Sequence, residues 1–357
     1  ADFAPMGHSV RVRREEEKGT ISWKIKFRNG TEKDFVSPIT TKPWGKFIPK
    51  LADADKPNQG EINSQRLYTE PEGLNIDGEL HRSRTLAKPN SRNGWYVGDP
   101  NGNWLVMGDW QTCIQQVWRP EGNVLKHQDK LKLKLAYDAY KAKKAQQLMK
   151  AIAQCQDIWQ QSILAHEHPY LTNKNIQGHN ARIDRLNNLV VQICSTDGKL
   201  MSLQFISPIG TKRFKGGCSL KGGSTILGKI NASDILLVCE GYATGCSLHE
   251  ATNLPVVVAF NAGNLEPVCK TISLAHPNVK LVICADNDHQ GQRKTGINVG
   301  LDKTRTVAEK LNILRLWPEF NSDNAGSDFN DIHCQQGLYA LTNMLMPAIN
   351  GGVNHGV

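Results

Sequence analysis

The sequence predicts an α/β fold built on a parallel sheet, and two observations carry that reading. First, from about residue 234 apolar runs alternate with helix-like stretches. Strands are expected at 234–240, 255–260, 279–286 and 311–317, and helices near 243–252, 264–275, 297–310 and 336–346. Runs that are apolar at successive positions belong to strands buried on both faces, and their alternation with helices is the pattern of βαβ units. Second, two of the runs end abruptly in carboxylate, one at Glu240 and the other at Asp286 and Asp288. Ligands of open parallel sheets sit beyond the carboxyl ends of the strands. The three carboxylates are therefore expected to converge on one edge, where they cannot all ionise cheaply unless a divalent cation joins them. Oxygen-only ligands favour Mg²⁺ or Mn²⁺. Gly241, directly after Glu240, is expected to permit a close backbone approach and a tight strand-to-helix turn. Gly245 either does likewise or only loosens the first turn.

The remaining elements follow in chain order. Residues 1–62 mix charge with short strand-like runs; the run at 21–27 followed by Asn29-Gly30 is a hairpin signal, and the segment has no evident role. Residues 63–123 carry turn pairs at Asp77-Gly78, Asn93-Gly94 and Asn101-Gly102, with Trp95, Trp104, Trp110 and Trp118 set among polar residues. This reads as a small antiparallel β module. Its tryptophans are most simply its core, with stacking platforms for single-stranded bases as the alternative. Residues 124–164 form a basic helical linker, free of Gly and Pro up to Ser162 and carrying eight lysines between Lys126 and Lys150. Leu131, Leu133, Leu135, Tyr137 and Tyr140 blur its periodicity, so one helix or two are both open. A solvated connector is the plain reading and a basic arm against nucleic acid the functional one. Residues 165–232 are expected to form a mixed α+β subdomain around a hairpin of 189–193 and 199–206, and residues 233–357 the parallel-sheet domain.

At 357 residues there is room for two or three domains with real cores. Lys and Arg number 43 against 34 Asp and Glu, a formal charge of +9. That suits a phosphate-rich partner, although a solvated basic surface has the same balance. The nine cysteines include no CxxC pair, and several sit in apolar strands. They read as reduced core residues of a cytosolic protein, against disulfides and against zinc. No stretch approaches the ~20 residues of a membrane span, and none reads as a signal peptide. The expected compartment is the cytoplasm. A first residue of Ala1 is compatible with processing or with excision from a longer protein.

The acidic Glu240-Gly241 ending one strand and Asp286-Asn-Asp288 ending a later one resemble the Toprim domain, shared by topoisomerases, DnaG-type primases and some nucleases. From about 165 to 340 the chain resembles the catalytic core of primases carried by phages and conjugative plasmids. The segments that carry the likeness are His168-Pro-Tyr-Leu, Asp197 to Phe205, Lys212-Arg-Phe, Glu240 to Gly245, Val258 to Gly263, Ala285 to Asp288 and Ser327 to Asp331. The stretch from Asp77 to Trp110 further resembles an accessory module of such primases. The resemblance implies a DNA primase that makes short RNA primers from ribonucleoside triphosphates on single-stranded DNA, with a pair of Mg²⁺ or Mn²⁺ ions. It implies Asp286 and Asp288 as metal ligands and Glu240 as a ligand or as the general base. Asp328 and Asp331 would complete the acidic site, although Asp331 could equally cap the following helix. Asn287 departs from the Asp-Gly-Asp of cellular primases and tolerates a left-handed turn there.

Lys212, Arg213 and Lys215 fall in the segment that guides template and initiating nucleotides in such enzymes, and Lys221 and Lys229 extend the basic set. An edge strand protected by Lys is the plain alternative. His168 and His249 fit packing or capping as well as chemistry, whereas His289 and His333 lie near the acidic motifs and could touch phosphate. No spacing supports the N-terminal zinc ribbon of DnaG-type primases, and no phosphate-binding loop marks a fused helicase motor. Another protein, such as a helicase or relaxase, or a further segment would supply those tasks, or start-site selection differs. Two rivals stand beside the primase: a Toprim nuclease using the same carboxylates on water, and a catalytically idle single-strand DNA-binding module of a larger transfer protein.

Overall fold

The structure, a computed structural model, describes residues 11–17, 20–26, 32–38, 74–85, 90–110, 115–120, 126–321, 323–351 and 355–356. It divides into two compact units, residues 1–145 and 146–357. In the first unit, β1 (Arg11–Glu17), β2 (Thr20–Lys26), β3 (Glu32–Pro38), β4 (His81–Ser83), β5 (Gly94–Gly98), β6 (Leu105–Asp109) and β7 (Gln115–Pro120) form one sheet in the order β1-β2-β3-β7-β6-β5-β4. Every recorded pairing in it is antiparallel, and β3 lies beside β7. The Asn29-Gly30 turn itself lies outside the described residues. Trp95 and Trp104 are buried with Leu80, Val97 and Val106, so two of the tryptophans are core. The side chain of Trp118 lies outside the described set.

Helix α1 (His127–Gln161) is a single 35-residue helix. The sequence left a break open, and the structure explains why the pattern looked irregular. Leu133, Ala136, Tyr137 and Tyr140 form one stripe packed on the module's core, with Trp110 against Tyr137 and Tyr140 at 5.6 and 6.3 Å. Leu131 and Leu135 point to solvent instead, 50% and 60% exposed. The first half of α1 is thus part of the β module's packing and not a bare connector.

The second unit holds two sheets. β8 (Ile163–Leu164), β9 (Arg182–Ile183), β10 (Leu189–Cys194), β11 (Leu200–Ile206) and β12 (Lys212–Phe214) make an antiparallel sheet in the order β12-β11-β10-β9-β8. Helix α2 (Pro169–Asn173) precedes β9; the imidazole of His168 caps it by accepting from Tyr170 N–H at 3.2 Å. The second sheet comprises β13 (Thr225–Leu227), β14 (Ile235–Cys239), β15 (Val256–Val258), β16 (Lys280–Cys284), β17 (Leu314–Trp317) and β18 (His355–Gly356), in the order β13-β15-β14-β16-β17-β18. Its ladders are parallel except that of β13, which runs against β15.

The expected α/β domain is therefore present, with helices on both faces. Alternate side chains of β14 serve two cores. Leu237 and Cys239 meet α3 (Tyr242–Thr252) and α7 (Phe329–Gly351), whereas Leu236 and Val238 meet α4 (Leu265–Ala275) and α6 (Val299–Leu311). Such burial on both sides is why these strands read as unbroken apolar runs. Helix α7 is interrupted at Gly337, whose φ of 85° is left-handed. The seven-residue α5 (His289–Thr295) was not expected; it buries no residue, so it leaves no apolar pattern. Gly245 does more than loosen a turn. A Cβ there would stand 2.5 Å from Val258 Cγ2 and 3.2 Å from Cys239 Sγ, so the missing side chain lets α3 lie close on the sheet.

Candidate active site at the carboxyl edge of the parallel sheet

Glu240 and Asp286 follow β14 and β16, which are adjacent and in register from Ile235 with Lys280 to Cys239 with Cys284. Both carboxylates therefore leave the sheet at the same edge. Glu240 accepts the backbone N–H of Ala262, and the side chains of Lys212 and Lys303 lower its pKa, yet burial wins and raises it above the ordinary carboxylate range. Ala262 is delivered by a turn after β15 in which Phe260 takes φ 68°, uncommon for an aromatic residue. Asn264 braces that turn by donating to the carbonyls of Gly223 and Ala259 at 2.8 and 2.9 Å.

Asp286 is the centre of the cluster. Burial, then the charges of Asp328 and Glu240, push its carboxyl up to about 8, against a partial offset from Lys212. Its Oδ1 is buried with no hydrogen-bond partner. A Cβ at Gly300 would stand 2.7 Å from the Asp286 carbonyl oxygen, so this glycine lets the start of α6 approach the loop. Asp328 is also raised, by burial and by Asp331, while Thr244 Oγ1 donates to its Oδ2 at 3.2 Å.

The other two acidic residues are engaged elsewhere. Asp288 is exposed, and its Oδ1 caps α5 by accepting from Gly291 N–H at 2.8 Å. Asp328 and Asp331 form a reciprocal capping box on α7. Asp331 N–H donates to Asp328 Oδ1 at 2.9 Å, while Asp331 Oδ2 accepts from the N–H groups of Ser327 at 2.8 Å and Asp328 at 3.3 Å. Lys174 pairs with the remaining Asp331 oxygen at 3.6 Å. Asn287 needs no left-handed backbone; it is a buried hydrogen-bond hub. Its Nδ2 donates to the Pro318 carbonyl at 2.8 Å and its Oδ1 accepts from Asn298 at 2.9 Å. Gly241 likewise has φ −93°, open to any residue, and serves as the N-cap of α3.

The donor set suits a hard dication. A buried, unpartnered carboxylate oxygen among like charges is costly, and bound positive charge removes that cost. Among the described residues no three Asp, Glu, His or Cys side chains enclose an ion as they stand, so holding one requires the carboxylates to draw together.

The Toprim domain family model matches residues 235–338, which span β14, the acidic loops and the first turns of α7. Residues 235–338 form a Toprim domain. The DNA primase TraC of Escherichia coli is 28% identical over 257 residues, covering 69% of this chain but 24% of TraC. The chain thus spans about a quarter of the length of that relative. The catalytic domain of a DnaG primase bound to single-stranded DNA is 11% identical, covers 59% of this chain and 80% of its own, and superposes with a TM-score of 0.41. The first 80 residues match a different family model, the adenosine-5'-phosphosulfate reductase beta subunit. In agreement, the adenylylsulfate reductase subunit beta of Megalodesulfovibrio gigas is 44% identical over 70 residues, covering 20% of this chain and 39% of that protein.

Around the Toprim edge the basic residues divide. Lys212, exposed on β12, acts on both Glu240 and Asp286. Lys215 instead donates to Gln154 of α1 at 2.7 Å. Lys221 precedes β13, whose Thr225 is paired with Val258 at the carboxyl end of β15. Lys229 follows Leu227, which is paired with Val256 at the amino end, so it lies at the edge opposite Glu240. Sequence reasoning gave no role to Lys303, Thr244 or the Ala262 N–H, although Thr244 and Ala262 lie in two of the segments that carry the likeness. The histidines are bound up in structure: His249 with the Leu254 carbonyl at 2.7 Å, His289 with the Gly326 carbonyl at 3.1 Å, His333 with Ser247 at 2.9 Å. Among the described residues no helix is long and apolar enough to cross a membrane.

Proposed function

We propose that this chain carries the catalytic core of a DNA primase that joins ribonucleoside triphosphates into short RNA primers on single-stranded DNA. The observation that carries the proposal is the Toprim edge itself: Glu240, Asp286 and Asp328 gathered with raised pKa values around an unpartnered buried oxygen, within reach of Lys212. Glu240, Asp286 and Asp328 would hold Mg²⁺ or Mn²⁺, singly or as a pair. Bound there, divalent metal supplies activation of the primer 3′-hydroxyl and neutralisation of the leaving pyrophosphate. Lys212 and Lys303 place positive charge beside the cluster, where a triphosphate would need it. Ala262 N–H fixes Glu240, and Thr244 fixes Asp328. Asp288 and Asp331 hold the two acidic loops by capping α5 and α7. Asp288 would join the donor set through the oxygen that does not cap α5, or by giving up its cap.

By the resemblance to primases of phages and conjugative plasmids, the setting would be replication or strand transfer of a mobile element in the bacterial cytoplasm. A helicase or relaxase in trans, or in a longer polypeptide, would bring the template. The test is incorporation of labelled ribonucleotides on single-stranded DNA with Mg²⁺ or Mn²⁺, wild type beside Asp286→Asn. Short RNA from the wild type alone is expected. Degradation of the template by the wild type alone would make the protein a nuclease. DNA binding without turnover and indifferent to chelator would make it an idle binding module.

A further inference from the structure

Three residues on one face of α1 meet the segment that follows β12. Ala151, Gln154 and Cys155 stand at helical positions i, i+3 and i+4, so they share that face. Gly217 lies over Ala151. Its φ of 82° is left-handed, and a Cβ there would stand 3.3 Å from Ala151 Cβ. Lys215 Nζ donates to Gln154 Oε1 at 2.7 Å. Cys218 completes the set, with its Sγ 3.7 Å from Cys155 Sγ. At that separation the two sulfurs, 63 positions apart in the chain, are in contact.

The two sulfurs differ in what can reach them. Cys155 is fully buried in a cluster with Val190 and Leu203, and Ile158 and Trp159 pack against it. Cys218 packs on the same cluster but is only half-buried. Burial, then Cys218, push the Cys155 thiol up to about 12, against a partial offset from Lys215. The thiolate is the reacting form, so a buried thiol held protonated is a poor first target for an oxidant. Cys218 is the sulfur that a small polar oxidant meets first, and Cys155 stands ready as the second. Cys239 and Cys284 are also neighbours, in register on β14 and β16, but both are buried in the sheet.

We propose that Cys155 and Cys218 are a redox pair that closes to a disulfide when the protein meets hydrogen peroxide, pinning the segment after β12 to α1. The Cys218 thiolate attacks one peroxide oxygen. The O–O bond breaks, the sulfur is oxidised to the sulfenic acid, and the departing hydroxide takes up the thiol proton as water. The Cys155 sulfur then attacks the Cys218 sulfur. The S–O bond breaks, and hydroxide leaves with the Cys155 proton as a second water. Two thiols and one peroxide thus give one disulfide and two waters. The sulfurs must close from 3.7 Å to bonding distance, and Gly216 and Gly217 give the segment the freedom to move. A dithiol reverses the step by exchange. None of these atoms belongs to the acidic cluster, so the pair is independent of the primase reading.

The test is titration of the full chain with hydrogen peroxide, after reduction and removal of the reductant, followed by peptide mapping without reduction. The wild type is expected to yield a cross-linked peptide joining Cys155 to Cys218, lighter than its two parts by two hydrogens and lost on treatment with dithiothreitol. The oxidised wild type should melt several degrees above the reduced protein, because the bridge closes a long span of chain. Cys218→Ser, at a half-buried site, should melt with the reduced wild type and show neither the cross-link nor the rise in Tm. In Cys155→Ala, Cys218 loses its partner and should run on to the sulfinic acid. Free thiols at both positions in the peroxide-treated wild type overturn the pair. So does Cys218 recovered as sulfinic acid beside an untouched Cys155, or Cys218 joined to Cys194 or Cys334 instead. A rise in Tm that Cys218→Ser shares with the wild type overturns the pinning.

Discussion

The two acidic loops of the Toprim domain, 286–288 and 327–331, look alike in sequence and divide their labour alike in space. In each, the first aspartate faces the cluster and the later one serves a helix. Asp286 keeps an oxygen with no partner, while Asp288 caps α5. Asp328 lies in the cluster and Asp331 completes the capping box of α7. Within each loop the later aspartate accepts one more backbone N–H than the first: Asp288 one, and Asp331 two against one for Asp328. Each such bond stabilises the carboxylate as an anion and occupies an oxygen that could otherwise serve as a ligand. The loops also differ from each other: Asp328 gives one oxygen to its own helix, whereas Asp286 Oδ1 has no partner among the described residues.

That comparison breaks most readily at Asp286. Replacing it with Asn removes the cluster's central charge while keeping its shape. Primer synthesis is expected to fall by about 10³-fold or more, with most of the loss in kcat because the interaction acts on developing charge. Asp328→Asn is expected to cost about 10²-fold on the same grounds, reduced because Thr244 and the helix end already share that carboxylate. Equal losses in the two variants would erase the distinction between the loops.

The same comparison has a signature in stability. Asp286 binds its proton more tightly folded than unfolded, with a folded pKa of about 8. Its neutral form therefore adds stability that is fully present below the unfolded carboxylate pKa and is lost as pH rises through about 8. In EDTA, the wild-type Tm should fall between pH 5 and pH 8 relative to that of Asp286→Asn, in which other groups titrate alike. Added Mg²⁺ should restore the wild type at pH 8 and do little at pH 5. A Tm difference that is flat across this range, with and without Mg²⁺, would show that Asp286 is not held among like charges. Asp331→Ala should cost about 1 kcal/mol of unfolding free energy through the lost capping box. Its effect on turnover is expected to be smaller than that of Asp328→Asn, read from urea melts and initial rates on one preparation.

Much of this was legible in the sequence, for physical reasons that can be named. Strands buried on two faces must be apolar throughout, so 235–239 and 280–284 announced themselves, and the carboxylates after them marked the edge. Direction was not legible. Nothing in Thr225–Leu227 shows that it runs against β15, which puts Lys229 at the amino end of that strand. Helix α5 buries nothing and left only its caps, Asp288 before it and Gly296 after it, as signals. Lys303 and Ala262 reach Glu240 from elements far along the chain. Only the fold brings them there.

The smallest expected effect is the one that separates a cap from a ligand. Asn caps helices about as well as Asp, so Asp288→Asn removes a charge and keeps the bond to Gly291 N–H. Amide hydrogen exchange across 289–295 should then match the wild type, while Asp288→Ala should speed it severalfold. If Asp288 works only as a cap, turnover in Asp288→Asn stays within about tenfold of wild type, because only a distant charge has gone. A loss as deep as that of Asp286→Asn, with exchange in α5 unchanged, would mean that the carboxylate leaves its helix during the reaction. Asp288 would then belong with the donors, and the matched division of the two loops would hold only for the resting protein.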